Sequence, residues 1–421
     1  MRDLQITSKG IAARGRVHDR TSGRHSNFFL ENSQMKKTLA AVAVLGAFAG
    51  TAMAADVTLY GVVDEGLKFT HVDADVDGVA KTNKFEMKSG NQAGSRFGLK
   101  GTEELGDGYK VGFILESGFN ADAGTMSKAN TIFNREASLS VYTPFGQVSA
   151  GKIGAITQGT SSWGKMGYFS AFGTSYGDYV AQDGQVTSTT QVWDNMIAYQ
   201  TPSFAGLKVY AQYAMGSQDA ENKSTSDRFY ALGATYDNGP VSALLAVDST
   251  NYKSWGETAA ERVDVDDSLT VTLGGSYDFG VAKVFFGGQY FDEVKLSSVG
   301  VFKAFATDIV AADSDLDAAD LEDIGDAKIK GYGLTASVSA PVLGGTSYFG
   351  AGYVDASEAD SVKDVSYDVS AWLVSAGYKY DLSKRTNVYG VVMYSKAEAK
   401  AADEKIKPSA VAAMIGLRHN F

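Results

Sequence analysis

From Ala55 to Phe421 the chain repeats one unit: a stretch of about ten residues in which apolar side chains alternate with small or polar ones, then a turn or loop. Ser268–Phe279 shows the pattern cleanly. Leu269, Val271, Leu273, Tyr277 and Phe279 occupy one set of alternate positions, and Ser268, Thr270, Thr272, Ser276 and Asp278 the other. Successive side chains of a strand point to opposite faces, so this period predicts a ribbon with one apolar and one wet side. Trp372, Val374, Ala376, Tyr378 and Tyr380 alternate in the same way with Leu373, Ser375, Gly377, Lys379 and Asp381. Small and charged residues on one face leave room for water, whereas a soluble sandwich fills both inner faces with apolar side chains.

The connections alternate in length. The short ones are Glu104–Gly108, Pro144–Gln147, Pro202–Gly206, Asn238–Pro240, Asp278–Gly280, Pro341–Gly345 and Asp381–Lys384, each carrying the Gly, Pro, Asn or Asp that tight hairpins favour. The long ones cover about 71–94, 119–134, 155–194, 217–227, 251–267, 294–328, 356–367 and 397–409. Seven turns and eight loops join sixteen strands. A sheet whose two rims differ so consistently fits an antiparallel transmembrane β-barrel, with short periplasmic turns and long external loops. Closure satisfies every backbone donor, which lipid demands of any spanning sheet.

Charge and composition narrow the possibilities. With no cysteine among 421 residues, disulfides, thiol chemistry and Cys-ligated metals are excluded. Residues 35–54 read as a cleaved signal peptide: Lys36 and Lys37 follow Met35, an apolar run spans Leu39 to Gly50, and Ala52-Met53-Ala54 supplies the cleavage pattern. Residues 1–34, rich in arginine and without strand periodicity, are expected to be a disordered upstream extension, with Met35 the initiator. The barrel is then expected over 55–421, with 30 basic and 46 acidic residues and a net charge of −16. That balance argues against a nucleic-acid partner. Spanning helices are not expected either, since no run of about 18 apolar residues occurs in that stretch.

Val57–Gly61 (VTLYG), Ser95–Leu105 (SRFGLKGTEEL), Arg135, Phe145-Gly146, Gly151-Lys152 and the terminal Phe421 together resemble the general porins of Gram-negative outer membranes, particularly those of β-proteobacterial type. The resemblance covers essentially all of 55–421. It implies an outer-membrane homotrimer, in contact with lipid and lipopolysaccharide, that conducts ions and small hydrophilic solutes by passive diffusion without a cofactor. It also implies that the third long loop folds into the barrel. Here that segment, Ala155–Val192, carries Trp163, Tyr168, Phe169, Phe172, Tyr176 and Tyr179, and so many aromatics favour packing against the wall.

By the same resemblance Arg96, Lys100, Arg135 and Lys152 match a basic wall cluster, opposed by Asp178 and Asp183 on the loop. The parity of Arg135 groups it with Ala137, Leu139 and Val141, and Val62 stands where relatives often carry another base. Phe421 matches the terminal aromatic read by the barrel-assembly machinery.

Other motifs fail on their chemistry. Gly159–Lys165 (GTSSWGK) lacks the Ser/Thr of a phosphate loop, since Met166 follows the lysine. Asp313, Asp315 and Asp317 imitate the start of a Ca²⁺ loop, but Ala318 and Ile324 fill its diagnostic positions. No metal site is expected, and the acidic run Asp308 to Asp326 reads as a solvated external loop. With only His71 and His419 in the barrel region, a His-dependent enzyme has little to work with. A substrate-specific channel and a barrel adhesin remain alternatives to a general porin. Ion selectivity is open: the net charge leans towards cations and the basic wall towards anions.

Overall fold

In the computed structural model the described residues are 57–75, 81–159, 161–173, 176, 183–188, 192–216, 226–252, 266–312, 326–359, 366–401 and 404–421. The strands are β1 (Thr58–Asp73), β2 (Thr82–Ser89), β3 (Arg96–Gly106), β4 (Tyr109–Asn120), β5 (Thr125–Met126), β6 (Glu136–Thr143) and β7 (Gly146–Gly154). They continue with β8 (Val192–Gln200), β9 (Leu207–Ala214), β10 (Arg228–Asn238), β11 (Val241–Asn251), β12 (Leu269–Asp278) and β13 (Lys283–Lys295). The last are β14 (Lys328–Val342), β15 (Gly345–Glu358), β16 (Tyr367–Asp381), β17 (Thr386–Ala401), β18 (Glu404–Ile406) and β19 (Ser409–Asn420).

Among the described residues, sixteen of these (all but the short β2, β5 and β18) form one closed antiparallel ring. Each pairs with the next, and β19 returns to β1 in register from Val62↔Asn420 to Asp73↔Ser409. Phe421 completes the seam by exchanging backbone hydrogen bonds of 3.1 Å with Gly61. The expected sixteen-stranded barrel is therefore the fold. Its tight turns obey local chemistry: between β3 and β4, Asp107 and Gly108 have φ of 51° and 80°, the positive pair that a type I′ hairpin needs.

Alternation sorts the wall as the sequence predicts. Leu245, Leu273, Phe286, Leu334 and Ile415 stand exposed on the outer face, where lipid covers them, while Ser138, Ser149, Thr272 and Ser395 are buried on the inner one. Two connections hold more structure than their length suggests. The stretch expected as a loop over 71–94 contains β2, which pairs with β1 from Glu65↔Ser89 to Val72↔Thr82; Phe85 and Met87 point outwards and alternate with Lys84, Glu86 and Lys88. The expected external loop 294–328 contains the helix Gly300–Ala312, because Val301, Phe302, Phe305 and Ala306 share one helical face. That face is buried with Val72, Phe291, Val294 and Ile329, so the segment packs inwards. The aspartates at 313, 315 and 317 lie outside the described residues.

Candidate functional site

The connection from β7 to β8 crosses the lumen, held to the inner wall by hydrogen bonds along its length. The Ile156 N–H donates to Gln212 on β9 (2.7 Å), and the Thr157 hydroxyl to Asp248 on β11 (2.8 Å). Further on, the Ala171 N–H donates to Ser337 on β14 (2.7 Å) and the Ser188 N–H to Gln289 on β13 (2.6 Å). Glycines make the shelf on which it rests. A Cβ at Gly274 or Gly287 would stand 2.5 or 2.2 Å from Phe169, and one at Gly333 only 1.6 Å from the Val186 carbonyl oxygen. Any other residue there would occupy space the loop already fills. Phe169, Met166, Ile156 and Trp163 are fully or almost fully buried in this contact, together with Met196, Phe229 and Leu244 of the wall.

At its far end the loop reaches the seam. Phe172, Tyr176, Tyr348 and Tyr389 form an aromatic cluster with centroids 5.6–6.3 Å apart. The Tyr176 N–H donates to the Gln92 carbonyl (3.0 Å), and the Gln92 amide donates to the Tyr176 hydroxyl (2.9 Å). Asp64 on β1 accepts from the Gln92 and Ala93 N–H groups (2.7 and 2.6 Å) and from the Tyr389 hydroxyl (2.6 Å). Its charge is thus consumed inside the wall, in the break between β2 and β3.

The free side of the lumen carries the charges. On β3, Arg96, Gly98 and Lys100 share the inner face with Glu116 and Ile114 of β4 and Tyr60 of β1, as the register Gly98↔Glu116 and Tyr60↔Gly98 requires. Glu116 is their hub. It takes the Arg135 Nε at 2.6 Å, the Arg96 Nε at 3.5 Å and the Tyr60 hydroxyl at 3.0 Å. Lys100 lies over the Tyr60 ring, 5.0 Å from its centroid. Gly98 permits this layer, since a Cβ there would stand 2.7 Å from the Tyr60 ring. Arg135 joins the cluster despite its parity because it precedes β6, where the chain has not yet entered the regular ladder. Arg418 of β19, paired in register with Asp64, is a further like-charged neighbour of Arg96. Glu136 is tied to the loop, accepting from the Ser162 N–H and hydroxyl at 3.0 and 2.8 Å.

Lys152 is not brought into this group. The register sets it opposite Ala137, on the parity of outward-facing Leu139 and Val148, and its ammonium pairs with Asp194 in the bulge of β8. Asp178 lies outside the described residues. Asp183 opens the short helical turn Asp183–Val186, and only its backbone is described. Sequence reasoning did not single out Glu116, Tyr60 or Lys165. The first two carry the same alternation that marked Arg96, but pairing across strands is what reveals the hub.

The described loop face offers a base. Lys165 sits 5.5 Å from the Tyr210 ring centroid, and burial, with Lys208 nearby, pulls its ammonium below the ordinary lysine range. A base with a depressed pKa loses its charge earlier as pH rises. The current carried by anions should therefore decline in moderately alkaline solution, before exposed lysines titrate, and Lys165→Met should abolish that step. A single-channel pH series that is flat below the ordinary lysine range would refute this.

Known proteins share this arrangement. Residues 40–400 match the family model described as Gram-negative porin. An outer membrane porin protein of Bordetella pertussis is 33% identical, over 92% of this chain and 100% of its own length. The outer membrane porin protein 32 of Delftia acidovorans is 31% identical with the same coverage. Among solved structures, an anion-selective porin from Comamonas acidovorans superposes with a TM-score of 0.61 at 25% identity, over 87% of this chain and 100% of that one.

Proposed function

The chain belongs to the Gram-negative porin family, and on that premise we propose that its channel prefers anions. It is an outer-membrane porin, a water-filled barrel through which ions and small hydrophilic solutes diffuse passively. Fold and family are those of a channel rather than an enzyme. The selectivity reading rests on one observation, the unequal use of charge on the wall facing the inward loop. Asp64, Glu116 and Glu136 are each engaged by several donors. Arg96 and Arg135 share one carboxylate, and Lys100 rests on an aromatic face with Arg418 close to Arg96. Positive potential is left over where the lumen is narrowest, and the narrowest point governs passage. That the Comamonas porin is described as anion-selective agrees with this reading.

The test is the reversal potential across a planar bilayer in a KCl gradient. Its sign is expected to report chloride as the better-carried ion, and a potassium-preferring sign would overturn the proposal. The negative net charge of the whole chain does not argue against it, because exposed rim charges are screened over about 8–10 Å at physiological salt and act weakly on the constriction.

Several expectations from the family extend the proposal. We assign a homotrimer, whose remaining outer wall meets lipid and lipopolysaccharide, and a terminal Phe421 that serves as the signal to the barrel-assembly machinery. The exposed aromatic ring of Phe421 on the outer seam, laid against Gly61 where a Cβ would stand 2.3 Å from it, suits such a signal. The 35–54 signal peptide and the 1–34 extension stay part of this reading.

A further inference from the structure

A second basic site lies away from the constriction, near the long-loop rim. There a cavity of about 320 Å³ is closed by three separate segments of the chain. Lys68 comes from the inner face of β1, Lys84 and Lys88 from that of β2, Gln185 from the inward loop, and Lys303 from the helix Gly300–Ala312. Lys68 is 4% exposed. The acid on the lining is Glu86, already bound to Lys84 at 2.8 Å. Four ammonium groups therefore surround the space against one paired carboxylate. Gln185 is 5% exposed, and its side-chain oxygen is buried without a hydrogen-bond partner among the described residues. A buried polar atom left unpaired costs free energy and marks a place where a partner is missing.

We propose that this cavity binds the phosphate group of small solutes and concentrates them at the mouth of the channel. The chemistry of the lining selects that group. Its ammoniums call for an anion with several oxygens, and the Gln185 oxygen calls for a donor. Hydrogen phosphate and phosphate monoesters near their second pKa supply both, having acceptor oxygens and a P–O–H. Sulfate at neutral pH has acceptors alone, and a phosphodiester has one charge and no hydroxyl. Long lysine side chains reach such a group as point charges without needing a fixed fork geometry. This reading is independent of the constriction: a cavity that fails to bind phosphate leaves the sign of the KCl reversal potential unaltered, and the converse also holds.

The experiment is calorimetric titration of the purified, detergent-solubilised full barrel, free of lipopolysaccharide, with inorganic phosphate, sulfate and dimethyl phosphate at pH 6.5 in low-chloride buffer. Phosphate is expected to bind, with sulfate weaker by about tenfold, the discrimination that one hydrogen bond to a charged group provides. Gln185→Leu should erase that ratio while leaving both anions bound. Lys88→Gln with Lys303→Gln should weaken both by about tenfold or more while KCl conductance shows an intact barrel. Equal affinity for phosphate and sulfate in the wild-type protein, or an unchanged affinity in the double variant, would overturn the proposal. Added lipopolysaccharide is expected not to displace phosphate; displacement would assign the site to a lipid headgroup and overturn the solute reading.

Discussion

Phe169→Ala is expected to free the inward loop and raise single-channel conductance. Phe169 is completely buried, and it lies across Gly274 and Gly287 as the widest contact between loop and wall. Truncating a buried phenylalanine costs about 3–5 kcal/mol. Here the loss falls on docking of the loop, since the barrel's own ladders do not pass through this side chain. The backbone anchors to Ser337 and Gln289 remain, but each such hydrogen bond contributes only about 0.5–1.5 kcal/mol net. A larger and noisier conductance, together with entry of bigger solutes in liposome swelling, is the expected result. Gly274→Val attacks the same contact from the wall side, with an overpacking cost of about 1–3 kcal/mol. Unchanged conductance in both variants would mean that the loop does not set the pore size.

The second large effect concerns charge. Removing Arg96 and Arg135 together strips Glu116 of both guanidiniums and leaves a carboxylate held by the Tyr60 hydroxyl alone among its named partners. Two positive charges disappear and one negative charge is unmasked. The reversal potential in a KCl gradient is therefore expected to change sign, from anion to cation preference. Arg96→Ala alone should shift it in the same direction by less, because Arg135 keeps the shorter contact to Glu116. Glu116→Gln should move it the opposite way, towards anions. If the double variant keeps the wild-type sign, neither arginine lies where selectivity is decided. High salt should shrink these differences, because mobile ions screen charges that face water.

Much of the architecture was legible in the residue order, for definite reasons. Alternation over Leu269–Phe279 and Trp372–Asp381 is a property of single strands, and turn residues such as Asp107-Gly108 act locally, so both survive in sequence. The inward loop was legible through its aromatics, which now lie against glycines. Those glycines were not legible as a shelf. Gly233, Gly274, Gly287 and Gly333 are far apart in the chain, and only closure of the ring sets them on one surface beneath the loop. The helix Gly300–Ala312 was hidden because it sits in a long connection whose acidic remainder dominates the composition.

The candidate charges divide along the same line. Arg96 and Lys100 were readable because they share parity on one strand. Arg135 reaches their face from outside the ladder, so parity alone grouped it with Ala137. Lys152 carried the right motif, yet its register and the adjoining bulge turn it to Asp194.

By itself, then, the order of residues determined the two faces, the two rims and the sixteen strands, because each depends on neighbours one, two or a few positions apart. Tertiary structure alone decided which charges meet. Glu116, Arg96, Arg135 and Tyr60 come from four different segments, as do the lysines and Gln185 at the rim, and their Coulomb energies depend on distances that exist only once the barrel has closed and the loop has folded inside it.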